Sequence, residues 1–247
     1  MKKQEWAFLA AGGGALLALV ALISGSMTWA LAGAGVAVGA GMLSRAWSRR
    51  DPGPMPHWLH WVLRLPRGPH SPRHLIELLS PRSGERILEV GPGIGIHSVP
   101  VASCLAPGGV LDVLDVQQEM LDDLMRRAAR AGVMNISARR GDAKALPYQD
   151  RVFDAAFLIG VLGEIPDEAA ALRELHRVLK PSGRLVVGEV VVDPDFVPLP
   201  ALKEKAKEAG FEPVRVAGPR ASYLALFRPA VISPSDARVD VAPALPS

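Results

Sequence analysis

A single cysteine, Cys104, in 247 residues leaves no partner for an internal disulfide and no thiolate set for a cysteine-built metal site. It falls in an apolar run and reads as a small core residue rather than a reactive thiol. Aromatic residues are scarce at 5%, and neither sign of charge dominates, with 28 Lys and Arg against 25 Asp and Glu. A net charge of +3 gives no electrostatic argument for a nucleic-acid partner, and none is expected. His57, His60, His70 and His74 lie close in sequence, but no cysteine or clustered carboxylate joins them, so no metal site is expected either.

What is present is unevenly spread. All five tryptophans (Trp6, Trp29, Trp47, Trp58 and Trp61) fall in the first quarter. Residues 6–24 carry no charge, and as a helix they would reach about 28 Å, the thickness of a hydrocarbon core. Residues 27–43 are also uncharged but built on Ala, Gly and Val, with Gly35 and Gly39 four apart, a spacing that lets helices approach closely in lipid. The link Ser24-Gly25-Ser26 permits only a tight reversal. Residues 1–50 therefore read as an all-α transmembrane hairpin with spans at 6–24 and 27–43. Lys2 and Lys3 flank one outer end and Arg45, Arg49 and Arg50 the other, which points both ends to the cytoplasm. The expected location is the cell inner membrane or another membrane, with the rest of the chain on the cytoplasmic side. A cleaved secretory signal is the competing reading of a basic start and an apolar run; the second apolar run argues against it. Residues 51–70 read as a proline-rich linker and a short helix, 57–65, with Trp58, Trp61, Val62 and Leu65 on one face. That helix either lies on the bilayer or packs on the following domain.

From residue 71 onward the pattern alternates. Ser71-Pro72 suits the start of a helix over 71–79. A buried strand over 86–90 breaks into Gly91-Pro92-Gly93-Ile94-Gly95 and a helix follows over 97–105, a loop against which a nucleotide-like ligand can lie. The strand at 110–115 ends in Asp115, about 20 residues beyond the loop, where an acid can accept hydrogen bonds from both ribose hydroxyls. The next helix buries Met120, Leu121, Leu124 and Ala128 and closes at Gly132. Strands are expected at 135–140 and 153–159, then a helix packing Leu172, Leu175 and Leu179 that breaks at Lys180-Pro181-Ser182-Gly183, then a strand at 184–192 and a helix at 199–209. The runs 211–217 and 222–228 are too closely joined for a crossover helix and must pair antiparallel. Residues 229–247, rich in Pro, Ala and Ser, read as a disordered tail. The fold class is α/β, with a mostly parallel sheet covered on both faces. A dinucleotide site shares loop, helix and acid, but its fingerprint wants glycine where Ile96 stands.

Taken together, Leu88-Glu89-Val90-Gly91-Pro92-Gly93-Ile94-Gly95, Asp115, Gly141-Asp142-Ala143 with Leu146-Pro147, Phe153-Asp154, and Leu175-His176-Arg177-Val178-Leu179-Lys180-Pro181-Ser182-Gly183 make residues 71–228 resemble a class I S-adenosylmethionine-dependent methyltransferase domain. The resemblance is to the ubiquinone/menaquinone C-methyltransferase-like (type 11) branch. It implies a seven-stranded Rossmann-like sheet with an antiparallel last strand pair, and S-adenosylmethionine as cofactor. It further implies Gly91, Gly93 and Gly95 along the methionine part, Glu89 near its amino group and Asp115 on the ribose. Val116 would pack on the adenine, Asp142 and Ala143 would meet its amino edge, and Gly160 would border the methyl group. No universal base is implied; Glu164, Tyr148 and His97 are candidates, with packing roles competing for each. Family enzymes acting on base amines carry an Asn/Asp-Pro-Pro-aromatic run after the fourth strand. Here that place reads Ile159-Gly160-Val161-Leu162, and no Pro-Cys pair is present. The function this implies is a membrane-anchored methyltransferase acting on a lipophilic small molecule: a quinone precursor, lipid headgroup or thiol. The alternative is a non-catalytic membrane-tethered cofactor-binding or assembly module.

Overall fold

In a computed structural model of the chain, residues 27–48, 50, 52–57 and 70–230 are described. The expected span at 6–24, the helix at 57–65 beyond His57 and the tail after residue 230 lie outside them. α1 (Met27–Ser48) covers the second expected span and runs past it to Ser48. Among the described residues, however, no helix is long and apolar enough to cross a membrane. α1 is built largely on Ala and Gly and carries Arg45 in its last turn, so the hairpin of two spans finds no support there.

The remaining elements are α2 (Pro72–Leu79), β1 (Arg86–Val90), α3 (Ser98–Leu105), β2 (Val110–Asp115), α4 (Gln118–Arg130), β3 (Ile136–Arg140), β4 (Phe153–Ile159), a 3-10 turn (Leu162–Glu164), α5 (Glu168–Val178), β5 (Leu179–Val190), α6 (Leu199–Glu208), β6 (Phe211–Ala217) and β7 (Ser222–Pro229). They form one seven-stranded sheet in the order β3-β2-β1-β4-β5-β7-β6. β1 pairs in parallel with β2 and β4, and β7 runs antiparallel to both β5 and β6. The expected antiparallel finish is present.

Alternation along the strands decides which helices cover which face. Leu88 and Val90 of β1 join the core formed with Leu172, Leu175 and Leu202 of α5 and α6. Ile87 points the other way, into the core of Leu75, Val101, Leu121 and Leu124 from α2, α3 and α4. The inward stripe expected of α4 (Met120, Leu121, Leu124, Ala128) is buried as a set.

Several boundaries differ from expectation by a residue or more, and four of them have a plain local reason. Ser71 leaves its cap bond unmade, because its hydroxyl pairs with His74 Nδ1 at 2.8 Å. Asn135 stays out of β3, its amide held by the carbonyls of Ala102 and Gly109. Leu179 ends no helix: it opens β5 opposite Phe153, and Lys180-Pro181-Ser182-Gly183 is taken up by a register shift before Arg184 pairs with Ala155. A bulge of this kind accommodates a proline that has no N–H to donate. β7 extends to Pro229, and Ala230 N–H reaches Gly210 O.

Candidate functional site

Because β2 lies on one side of β1 and β4 on the other, chains leaving β1 and β4 diverge and open a crevice at their carboxyl ends, where α/β sheets bind ligands. A cavity of about 230 Å³ occupies it. The glycine loop forms one wall. Gly91 and Gly93 adopt φ of +66° and +53°, a region that side chains resist. A Cβ at Gly91 would lie 2.5 Å from Val161 Cγ2, which shows how tightly the loop meets the segment after β4. Gly95 (φ +78°) stands behind the cavity, where a Cβ would lie 2.8 Å from Leu124 Cγ. Its packing is against α4.

Glu89, at the end of β1, lines the cavity and is only 3% exposed. Among the described residues its Oε2 has no hydrogen-bond partner. Burial pushes its pKa up to about 8, and the charge of Asp115 adds to the rise. A buried carboxyl oxygen facing a cavity without a donor is costly, and an ammonium group there would both bond it and stabilise its charge. Asp115, at the end of β2, also lines the cavity. Its Oδ1 accepts from Gln117 N–H at 2.9 Å, and burial raises its pKa despite that bond.

Val116 and Ala143 line the same space, Val116 exposed and Ala143 buried. Asp142 lies at the rim. Its Oδ1 accepts from Lys144 N–H at 2.9 Å and its other oxygen is 3.5 Å from Lys144 Nζ. Gly160 (φ +66°) donates its N–H to Gly188 O at 2.8 Å and borders the cavity after β4.

Of the three candidate bases, the fold brings Glu164 and His97 to the cavity. His97 is buried, with Nε2 2.7 Å from His70 O. Glu164 accepts from Met55 N–H at 3.3 Å. Its pKa is pushed well above the usual carboxylate range by burial and by the charges of Asp193, Asp195 and Asp115. Tyr148 does not line the cavity: its ring sits edge-on to Phe153 at 4.9 Å, with the Arg139 guanidinium over it. Burial raises its pKa to about 12. No metal-binding group of three or more His, Cys, Asp or Glu occurs among the described residues.

One part of the cavity wall and one neighbour of Gly160 had no signal in the sequence. Pro54 and Met55, from the segment read as linker, form part of the cavity wall; Gln117 Nε2 donates to Met55 O at 2.9 Å. Asp193 lies in the turn after β5, and its Oδ2 is 3.5 Å from where a Cβ at Gly160 would stand. Neither belongs to a motif, since both are brought in by long-range packing.

Glycine loop, acid at the end of β2 and unpartnered Glu89 oxygen together fit an S-adenosyl amino acid: an amine for Glu89, a ribose for Asp115, and close backbone approach at Gly91 and Gly93. Residues 87–183 match the family model described as "Methyltransferase domain". The stretch from β1 into β5 is thus similar to a methyltransferase domain.

Among curated proteins the chain is 31% identical over 126 residues to the ubiquinone/menaquinone biosynthesis C-methyltransferase of Pasteurella multocida, covering 49% of this chain and 47% of that protein. It is 30% identical over 164 residues to the 27-O-demethylrifamycin SV methyltransferase of Amycolatopsis mediterranei, covering 66% and 59%. The chain spans about half the length of the curated relatives it matches. Among solved structures, a SAM-dependent methyltransferase from Aquifex aeolicus superposes with TM-score 0.62 at 20% identity, covering 71% of this chain and 98% of the other. The cyclase SpnF superposes with TM-score 0.58 at 22% identity, covering 65% and 80%. At these identities the superpositions speak for the fold.

Proposed function

We propose that this chain is an S-adenosylmethionine-dependent methyltransferase acting on a lipophilic small molecule at a membrane, with the domain on the cytoplasmic side. The observation that carries the reading is the cavity in which Glu89, Gly91, Gly93 and Asp115 face Gly160, Val161 and Glu164 across the β1/β4 switch. When bound, the cofactor supplies an electrophilic sulfonium methyl group. Glu89 holds its amine, Asp115 its ribose hydroxyls, and Val116, Asp142 and Ala143 its adenine. Gly160 leaves room beside the methyl group. The protein's task is then positioning, which can contribute about 7–11 kcal/mol to a group transfer. Glu164 is the group at the cavity best suited to take a proton from an acceptor, because its neighbours disfavour its charged form.

Apolar side chains of Met55, Val161 and Ile165 on the acceptor side support a lipophilic substrate, as do the quinone and rifamycin names of the relatives. Membrane association is supported by the uncharged run at 6–24 and by exposed Leu31, Val36, Met42 and Leu43 on α1, a larger apolar display than water favours.

The test is transfer of labelled methyl from S-adenosylmethionine into a lipid extract, with Asp115→Ala beside the parent. Label entering a lipid-soluble product only with the parent supports the proposal. Cofactor binding without any transfer sinks it in favour of a non-catalytic binding or assembly module. Full release of the protein from washed membranes at neutral pH would remove the membrane part alone.

A further inference from the structure

The cavity at the β1/β4 switch measures about 230 Å³, below the ~300–1,000 Å³ of ordinary ligand pockets. On the methyltransferase reading it must hold a cofactor and an acceptor together, so a wall has to move. Apart from Pro54 and Met55, the lining comes from β1, β2 and β4 and the segments that follow β1 to β4. Pro54 and Met55 belong to neither strand nor helix. They cross the crevice as a strap: Met55 N–H donates to Glu164 Oε2 at 3.3 Å on one side, and Met55 O accepts from Gln117 Nε2 at 2.9 Å on the other. His57 Nε2, 2.8 Å from Asp123 Oδ2, fastens the end of the strap on α4. Fastenings made through side chains can open without disturbing the ladder of the sheet.

The other end of the strap leads straight to α1. Arg49, Arg50 and Asp51 are all that separate Ser48 from Pro52, a reach of at most about 14 Å. Pro52, Pro54 and Pro56 fix φ at every second position, so the strap passes a pull on rather than absorbing it. α1 presents what an anionic lipid surface attracts: Leu31, Val36, Met42 and Leu43 are exposed on it, and residues 27–50 hold Arg45, Arg49 and Arg50 with no acid. Arg45 is also near enough for its charge to act on Asp193, whose Oδ2 stands 3.5 Å from the Cβ position of Gly160 at the cavity. The same guanidinium can serve the domain or a lipid phosphate. We infer that α1 and residues 52–57 form a membrane-operated latch: off the bilayer the strap closes the cavity, and docking of α1 on an anionic bilayer draws the strap from Glu164 and Gln117 and opens the cavity where a lipophilic acceptor is dissolved. The bilayer favours the open state because there α1 can lie flat with Arg45 on a headgroup. This rests on the methyltransferase reading and adds the regulation of its site.

The experiment measures release of labelled S-adenosylhomocysteine from the full chain reconstituted in vesicles of phosphatidylcholine alone and of phosphatidylcholine with about 30% phosphatidylglycerol. Release is expected to be about threefold faster on the anionic vesicles. His57→Ala, which unties the strap from Asp123, should release on neutral vesicles about as fast as the parent does on anionic ones. A flexible insert of about six glycine and serine residues after Arg50 should leave the chain on both vesicles and remove the difference between them. Equal or slower release of the parent on anionic vesicles, no gain from His57→Ala on neutral ones, a lipid difference that survives the insert, or failure of either vesicle to retain the chain overturns the latch. Binding of S-adenosylhomocysteine is measured first, and its absence would overturn the methyltransferase reading instead.

Discussion

Met55 and Glu164, 109 positions apart, meet at the cavity: the Met55 amide donates to Glu164 Oε2 at 3.3 Å. The same Met55 accepts from Gln117 Nε2 through its carbonyl at 2.9 Å, and His57 Nε2 lies 2.8 Å from Asp123 Oδ2 on α4. Residues 52–57 are thus fastened to both sides of the crevice, to the turn after β4 and to the start of α4. Losing one such bond costs about 0.5–1.5 kcal/mol, enough to loosen the segment without unfolding the sheet. Gln117→Ala and His57→Ala should each speed release of S-adenosylhomocysteine by about threefold, with less effect on the melting temperature. Stopped-flow displacement reads this directly, and unchanged release in both variants would show that the segment does not gate the cavity.

Gly91 tests the glycine wall. With φ +66° and a Cβ position 2.5 Å from Val161 Cγ2, an alanine there meets both a disfavoured backbone region and a clash. The two together should cost about 2–4 kcal/mol. Gly132 has a similar φ of +70° but nothing within 4 Å, so Gly132→Ala should cost only the backbone part, about 1 kcal/mol. Urea titration of both variants, with Gly91→Ala/Val161→Ala as the relief of the clash, separates the terms. Equal losses at the two glycines would refute the packing argument.

Which of these features could be read from the residues follows from how local their causes are. β1, β2 and β4 occupy the expected residues because each is a short buried run bounded by turn signals. The glycine loop and Asp115 reach the cavity because strand ends deliver them there whatever the loops do. The start of β5 was hidden by Lys180-Pro181-Ser182-Gly183, a sequence that spells a turn; pairing of Leu179 with Phe153 outweighs it and leaves a bulge. Tyr148 follows a motif that leads to the cavity rim, yet its ring is claimed by Phe153 and Arg139. Met55 and Asp193 come from segments with no periodicity, and only tertiary packing places them.

Arg184 joins the end of α2 to the sheet. Its guanidinium donates to Leu79 O and Ser80 O and pairs with Glu85 Oε2 at 2.6 Å, with both side chains of the pair about 15% exposed. Arg184→Ala would take this donor from the Leu79 and Ser80 carbonyls and leave the largely buried Glu85 carboxylate with the Arg82 amide at 2.9 Å, a loss of about 3–5 kcal/mol. Burial tends to raise the Glu85 pKa, but the bonds from Arg184 and from the Arg82 amide outweigh it and hold it below the usual value. A carboxyl whose folded pKa is depressed adds stability above its unfolded pKa and loses it as pH falls through the folded one. Wild-type stability should therefore drop below about pH 4, and the Arg184→Ala variant should show a shallower acid limb. Parallel limbs in denaturant titrations across pH would exclude this pair as the source.

Glu189 works in the opposite sense. It is 1% exposed, its Oε2 accepts from Val197 N–H at 3.2 Å, and among the described residues its Oε1 has no hydrogen-bond partner. Burial pushes its pKa up to about 9, and the charges of Asp193, Glu168 and Asp195 add to the rise while the Val197 amide offsets part of it. A carboxyl whose folded pKa is raised contributes most stability below its unfolded pKa near 4.5 and loses that contribution progressively as pH climbs toward the folded value. Between pH 5 and 8 this group should tilt wild-type stability downward by up to about 1.4 kcal/mol per pH unit. Glu189→Gln can still accept from Val197 and cannot ionise, so its stability should be flatter over that range and the two curves should diverge as pH rises. Guanidinium titrations at half-unit pH steps provide the comparison. If the difference between wild type and Glu189→Gln stays constant from pH 5 to 8, the carboxyl is already charged when buried and burial does not hold its proton.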